Sequence, residues 1–351
     1  MLNFDAKTTV VRARAPLRLG FAGGGTDLSP YCDEFGGAVL NLTIHRYAYA
    51  FIAPRKDNQI EFISSDLEIN EMLPLSATYS IHEGLKLHHG VYNRMIRQFN
   101  GGQPLPLTVT TFADAPAGSG LGTSSSIVVA LVDAFRTYLD LPLGRYDVAH
   151  LAFEIERVEL GLVGGRQDHY AAAFGGANFI EFLPNDRVIV NPLRVKQCHM
   201  DELEASLVIC FTGQSRESAK VISEQSKEIS DRSAVAIDAM HQLKADALQM
   251  KHALLTGNFQ ELGQLLQHSW FAKKRTAKGV TNDRIDELFN YAMQHGALAG
   301  KVSGAGGGGF MMFLSTPELR PGLVNILRKH GVQTDPVHFT QNGCETWTRH
   351  A

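Results

Sequence analysis

Residues Pro116-Ala117-Gly118-Ser119-Gly120-Leu121-Gly122-Thr123-Ser124-Ser125-Ser126 constrain this chain more than any other stretch. They follow an alternating, β-branched run, Leu107 to Phe112, whose period of two predicts a strand. They lead into the apolar run Ile127 to Phe135, which predicts a largely buried helix. Glycine at three alternate positions lets the backbone turn tightly and lets a ligand approach the N–H groups with no Cβ in the way. The serines and threonine then stand at a helix N-terminus, where unpaired N–H donors and the helix dipole favour an anion. The pattern suits a phosphate cradle, and a serine-rich helix cap after a flexible turn fits the same residues. Two common cradles are excluded. A Walker A loop ends in Gly-Lys-Ser/Thr, and no lysine stands between Pro116 and Ser126. The dinucleotide fingerprint needs G-x-G-x-x-G, and here the third glycine comes one residue early.

The chain's 33 glycines are clustered, which predicts several backbone-built loops and argues against disorder. The first cluster lies in Leu17-Arg18-Leu19-Gly20-Phe21-Ala22-Gly23-Gly24-Gly25-Thr26-Asp27-Leu28, where Arg18 and Asp27 are lone charges among apolar residues and glycine. A strand-edge charge and a helix cap are the plain readings of these two residues. Gly164-Gly165-Arg166-Gln167-Asp168 opens a short helix that Gly175-Gly176 closes. Gly304, Gly306 and Gly309 satisfy G-x-G-x-x-G but run into the strand Phe310 to Leu314 instead of opening a helix. That context excludes a dinucleotide site and leaves a glycine loop that closes over a neighbouring site.

A balance of 33 basic and 36 acidic residues, net −3, gives no reason to expect nucleic acid or an anionic membrane as partner. No apolar run reaches the roughly 18 residues of a membrane span, and Met1 to Val10 is too polar for a signal peptide. Cys32, Cys198, Cys210 and Cys344 are far apart and read as reduced thiols of a cytoplasmic protein. His88-His89 is expected on a solvated helix face. Strands are expected at Val10 to Ala15 (interrupted by Pro16), Ala38 to Asn41, Tyr47 to Ala53 and Ile60 to Ser65, the last two pairing across Lys56-Asp57-Asn58. Helices are expected at Val91 to Asn100 and Asp147 to Val158. Further along, Ser206 to Phe211 reads as a strand, and Ser218 to Leu255, Phe259 to Thr276 and Asp283 to His295 as helices. Glu318 to His330 reads as a helix and Thr334 to Phe339 as the last strand. A boundary in Asn191 to Leu203 divides the chain into 1–195 and 196–351.

In order and spacing, three of these motifs resemble the galactokinase, homoserine kinase, mevalonate kinase and phosphomevalonate kinase (GHMP) superfamily. They are Ala15-Pro16-Leu17-Arg18 leading to Gly25-Thr26-Asp27, the loop Pro116 to Ser125, and Lys301-Val302-Ser303 leading to Gly304 to Gly309, with Gly164-Gly165-Arg166-Gln167-Asp168 between the last two. The resemblance spans nearly the whole chain. Within the superfamily, Leu17 to Leu28 looks most like the bacterial D-glycero-D-manno-heptose 7-phosphate kinases, and its Gly-x-x-Asp portion is shared with fucokinase-type sugar-1-kinases.

The resemblance implies an α+β, two-domain fold, an N-terminal ribosomal-protein-S5-like domain followed by a ferredoxin-like α/β domain, with ATP and sugar in the cleft between them. It implies phosphorylation of the anomeric hydroxyl of heptose 7-phosphate, giving heptose 1,7-bisphosphate on the route to GDP-heptose. ATP, Mg²⁺ and a sugar phosphate are the implied ligands; a homodimer is left open. By the same resemblance Pro116, Gly118, Ser119, Gly120, Leu121, Gly122, Thr123, Ser124, Ser125 and Ser126 bind ATP. Ser126 and Glu156 hold the metal, with Glu154 and Glu159 as alternatives to Glu156. Asp168 is the catalytic aspartate and Arg18 the cation beside it. Gly24, Gly25, Thr26, Asp27, Gly306 and Gly307 contact the sugar. His45, Arg46, Lys273, Lys274 and Arg275 are candidates for the acceptor's own phosphate, none of them assigned. A catalytically silent ATP- and sugar-binding sensor is the reading from another class, and the presence of Arg18, Ser126, Glu156 and Asp168 together argues against it.

Overall fold

The structure, a computed structural model, describes residues 9–213 and 218–350. Most of the polar opening segment weighed above as a leader lies outside those residues. The described residues form two sheets. The first has eight strands: β1 (Thr9–Ala22), β2 (Gly37–Pro54), β3 (Gln59–Ser64), β4 (Ile69–Pro74), β5 (Leu107–Ala113), β6 (Ala177–Leu183), β7 (Arg187–Pro192) and, from the far end of the chain, β12 (Glu345–His350). The second is a four-stranded antiparallel sheet of β8 (Leu207–Phe211), β9 (Ala299–Val302), β10 (Phe310–Leu314) and β11 (Gln333–Asp335). Its spatial order β11-β8-β10-β9 is the 4-1-3-2 arrangement of a ferredoxin-like sheet.

Pro16 does not interrupt the opening strand. β1 continues through it because the register against β2 shifts between Pro16 and Leu17, so the missing N–H falls at an irregularity where no ladder bond is lost. The two strands expected at Ala38 to Asn41 and Tyr47 to Ala53 are one, β2, shared along its length by β6 (Gly37 to Leu42) and β5 (Ala48 to Pro54). The expected hairpin between Tyr47 to Ala53 and Ile60 to Ser65 is not formed. β5, with Leu107, Val109 and Thr111 buried, lies between β2 and β3 and pairs with β3 in parallel, which the intervening helix Lys86–Phe99 permits.

That helix begins earlier than expected and buries His88 and His89, correcting the solvated-face reading. The long helix Ser218 to Leu255 is two, Ser218–Ser230 and Ala234–Thr256, broken where Arg232 takes φ +58°. The last strand is also corrected. Beyond β11 the chain returns to the first sheet, where β12 pairs antiparallel with β1. The unit expected over 196–351 therefore contributes its final strand to the sheet of residues 1–195. Among the described residues no helix is long and apolar enough to cross a membrane.

The main core lies between the first sheet and the helix Thr123–Tyr138, whose residues Val128 to Val132 are wholly buried. A second core gathers Trp270, Leu288, Phe313 and Leu327 against the second sheet. A cleft of about 760 Å³ opens between the two halves.

Candidate active site

The glycine loop is held in shape from behind. Arg18, on β1, donates its backbone N–H to the Leu121 carbonyl at 3.0 Å and its guanidinium to the Gly120 carbonyl at 2.6 Å. The late glycine motif packs on the same loop: Phe310 donates its N–H to the Ser119 carbonyl at 2.8 Å, and Ser303 Oγ donates to the Gly120 carbonyl at 3.1 Å. Gly120 has φ +78°, and a Cβ there would come within 2.4 Å of the Ser303 carbonyl, so only glycine fits. With its carbonyls engaged behind, the loop keeps its donors in front. The first helix N–H to find a backbone partner is that of Ser126, on the Gly122 carbonyl; among the described residues those of Gly120, Gly122, Thr123, Ser124 and Ser125 have none. Gly118, Ser119, Gly120, Gly122, Thr123, Ser124 and Ser125 line the cleft, whereas Leu121 is wholly buried and Pro116 stands outside the lining.

Asp168 sits in the first turn of the helix Gln167–Phe174, facing the cleft with its side chain 19% exposed. Its Oδ1 accepts from Arg18 Nε at 2.8 Å and lies 2.7 Å from Arg18 Nη2. A neighbouring wall is the loop Gly23 to Asp27. The buried Asp27 carboxylate accepts from the Gly25 N–H (3.1 Å), the Gln167 N–H (3.1 Å) and Gln167 Nε2 (3.0 Å), which ties that loop to the helix carrying Asp168. A Cβ on Gly165 would come within 2.0 Å of Asp27 Oδ2, so the Gly164-Gly165 pair is what lets the two segments close. Gly24, Gly25 and Asp27 line the cleft. Thr26 does not: it is wholly buried, with its hydroxyl bonded to the backbone of Ala38.

Other expected placements differ as well. Ser126 turns away from the cleft and donates to the Pro16 carbonyl at 3.2 Å, because the helix carries it half a turn past the loop; the hydroxyl that meets Glu156 is that of Ser124. Gly306 and Gly307 face Val280, where the Gly307 N–H donates to the Val280 carbonyl at 2.8 Å; Gly304 and Ala305 line the cleft in their stead. Glu154 and Glu159 both pair with Arg94, on the helix Lys86–Phe99.

Glu156 lies in a π-helical turn, Glu154–Glu159, that continues the helix Arg145–Phe153. It is fully buried behind Ser124, with Arg157 Nη1 at 3.2 Å and His169 Nε2 at 2.6 Å. Burial pushes its carboxyl upward, but Arg157, His169 and Ser124 outweigh that and hold it down at about 2. An ionised carboxylate touching a hydroxyl in the first helical turn is a donor set suited to a hard dication.

Lysines complete the cleft. Helical spacing puts Leu262, Leu266, Trp270 and Lys273 on one buried stripe, and Lys273 ends it at the cleft, its Nζ donating to the Gly24 carbonyl at 2.9 Å. Burial lowers its pKa to about 8. Lys301 Nζ donates to the Gly20 and Phe21 carbonyls at 2.7 and 3.1 Å, and burial with Lys273 and Arg18 nearby lowers its pKa well below the usual range. The apolar stripe was the one signal in the sequence that separates Lys273 from its basic neighbours. Lys274 pairs with Asp286 and Arg46 with Asp335.

A model of the GHMP kinases N-terminal domain matches residues 86–176, and one of the GHMP kinases C-terminal domain matches residues 250–333. The chain is 42% identical to the D-glycero-alpha-D-manno-heptose 7-phosphate kinase of Campylobacter jejuni, over 96% of this chain and 98% of that one. The chain belongs to the GHMP kinase family. A solved structure described as a D-glycero-D-manno-heptose 1-phosphate kinase from Bacteroides thetaiotaomicron is 42% identical, with a TM-score of 0.83 over 97% of this chain and 100% of that one. The L-fucokinase/L-fucose-1-P guanylyltransferase of Bacteroides fragilis is 25% identical over 87% of this chain and 34% of that protein. Both the N-terminal and the C-terminal domain of the GHMP kinases are therefore matched in the chain.

Proposed function

We propose that this GHMP kinase transfers the γ-phosphoryl group of ATP to the anomeric hydroxyl of D-glycero-D-manno-heptose 7-phosphate, giving heptose 1,7-bisphosphate. The observation that carries the reading is the Arg18–Asp168 pair standing between a loop of unpaired N–H donors and the Asp27 loop. Its substrate rests on the name of the Campylobacter jejuni relative, which the chain matches nearly end to end.

Phosphoryl transfer asks a protein for positioning and charge stabilisation more than for covalent chemistry. The N–H groups of Gly120 and Gly122 to Ser125 hold the triphosphate at the helix N-terminus. Asp168 faces the acceptor hydroxyl, orients it and accepts its proton. Arg18 fixes Asp168 and sets a positive charge where the transferred group passes. Ser124 and Glu156 would hold Mg²⁺, which supplies charge neutralisation between the phosphates when bound. Asp27 shapes the acceptor loop through Gln167.

The two heptose relatives differ in the position their names give to the existing phosphate. Purified protein with Mg-ATP, offered heptose 7-phosphate, heptose 1-phosphate, heptose, fucose and galactose, separates the readings by ADP release and by ³¹P NMR of the product. Turnover of heptose 7-phosphate to a bisphosphate with a new anomeric signal is the expected result. Preference for heptose 1-phosphate or for fucose would overturn it.

A further inference from the structure

We propose that Lys273 selects an acceptor that already bears a phosphate, receiving that phosphate on the ammonium N–H groups it does not spend on Gly24. The inference rests on the reading of the acceptor as a sugar phosphate.

Among the described residues, the charged side chains lining the cleft are Arg18, Arg157, Lys273 and Lys301 against Asp27 and Asp168. Arg157 is neutralised by Glu156 just behind the wall, and Arg18 by Asp168. Asp27 spends both oxygens on N–H groups of Gly25 and Gln167 and forms no ion pair among the described residues. Neutral N–H donors leave Asp27 its charge, and it and Asp168 act on Lys273 through space, but neither Lys273 nor Lys301 has a bonded carboxylate among the described residues, which favours an anion at the acceptor end.

Lys301 is bonded to two carbonyls of β1 on the cleft floor. Lys273 makes a single hydrogen bond among the described residues, to the Gly24 carbonyl, and so keeps two donors. It stands over the acceptor loop, where a Cβ on Gly24 would lie 3.5 Å from its Nζ. Of the other candidates, Lys274 pairs with Asp286 and Arg46 with Asp335, while Arg275 is exposed and does not line the cleft. Lys273 also reaches the acceptor loop from the helix Phe259–Lys274 of the chain's second half, so its site is assembled by the same closure that builds the cleft. Burial lowers its pKa to about 8 against the upward pull of Asp27 and Asp168.

The test compares heptose 7-phosphate with unphosphorylated heptose as acceptors for the wild type, Lys273→Met and Lys273→Gln, the glutamine keeping a donor for the Gly24 carbonyl. Loss of a charge-assisted contact predicts a roughly 10- to 100-fold rise in KM for the phosphorylated acceptor. Its kcat and the KM for ATP should stay within about threefold, and the loss on free heptose, which shares only the Lys273–Gly24 contact, should be several-fold smaller, so that discrimination between the two acceptors collapses. Lys273→Arg should recover most of the discrimination. Equal losses on both acceptors, or a fall in kcat alone, would overturn the inference and make Lys273 a general element of the acceptor loop or of the transferring phosphate. Unchanged kinetics would overturn it as well. A wild type that ignores heptose 7-phosphate and turns over a neutral sugar is a different failure, that of the proposed substrate, and is read before any variant is made.

Discussion

Arg18 and Asp168, 150 residues apart in the chain, meet through contacts of 2.8 and 2.7 Å, while the same guanidinium holds the Gly120 carbonyl of the phosphate loop at 2.6 Å. One side chain thereby fixes the distance between the phosphate loop and the carboxylate facing the acceptor. Transfer needs both the phosphoryl group and the hydroxyl held in line, and this pair provides a common origin for the two.

Asp168→Asn keeps the shape and removes the proton acceptor. Turnover should fall about 10²- to 10⁴-fold while ATP affinity stays nearly unchanged. Steady-state kinetics beside a nucleotide-binding titration measures both, and full activity in the variant would remove Asp168 from its assigned role.

The contact between Ser124 and Glu156 favours Ser124 over Ser126, to which the resemblance gave the metal. Ser124→Ala should raise the Mg²⁺ concentration for half-maximal activity about tenfold or more. Ser126→Ala should leave that concentration alone and cost about 1 kcal/mol of stability through the lost bond to Pro16. Magnesium titrations of the two variants, with thermal denaturation, tell them apart; a reversed pattern would restore Ser126.

Gly120→Ala places a Cβ 2.4 Å from the Ser303 carbonyl at a φ of +78°. The loop must shift away from its backing, so a loss of about 1–3 kcal/mol is expected, together with a large loss of ATP affinity. Calorimetric unfolding and nucleotide titration check it. Wild-type affinity would show that the two glycine motifs do not depend on each other.

His88 is buried beside Phe62 and Thr111, and burial lowers its pKa to about 4 from 6.5. The unfolded chain takes up a proton near 6.5 and the folded one does not until about 4, so stability falls as pH drops through that window. The difference amounts to about 3 kcal/mol by linkage. Glu156 acts the same way in a lower window: its stabilisation, present above about 4.5, is lost as pH falls toward about 2. His88→Gln should flatten the upper part of the profile in denaturant titrations between pH 4.5 and 6.5. A variant whose profile parallels the wild type would assign that slope to other groups.

Local chemistry made several features readable before any coordinates. The strand–glycine–serine–helix order, the short helix opened by Gly164-Gly165 and the strand Phe310–Leu314 all follow from residues adjacent in the chain. What propensity could not supply was partnership. The swap of β5 for β2 beside β3, the burial of His88 and His89 and the return of β12 to β1 depend on segments far apart in sequence. A half-buried pattern says that a strand has a neighbour and leaves open which one.

The same division runs through the site. By itself the sequence determined which residue types are present and which loops must be built from backbone, because glycine spacing and helix periodicity act over a few residues. Tertiary structure alone decided which hydroxyl meets Glu156, which glycines of the late motif face the cleft, and that Lys273, of three adjacent basic residues, is the one turned inward. A side chain's direction is set by helical phase and by what the other half of the molecule packs against it, and neither is a property of its nearest neighbours in the chain.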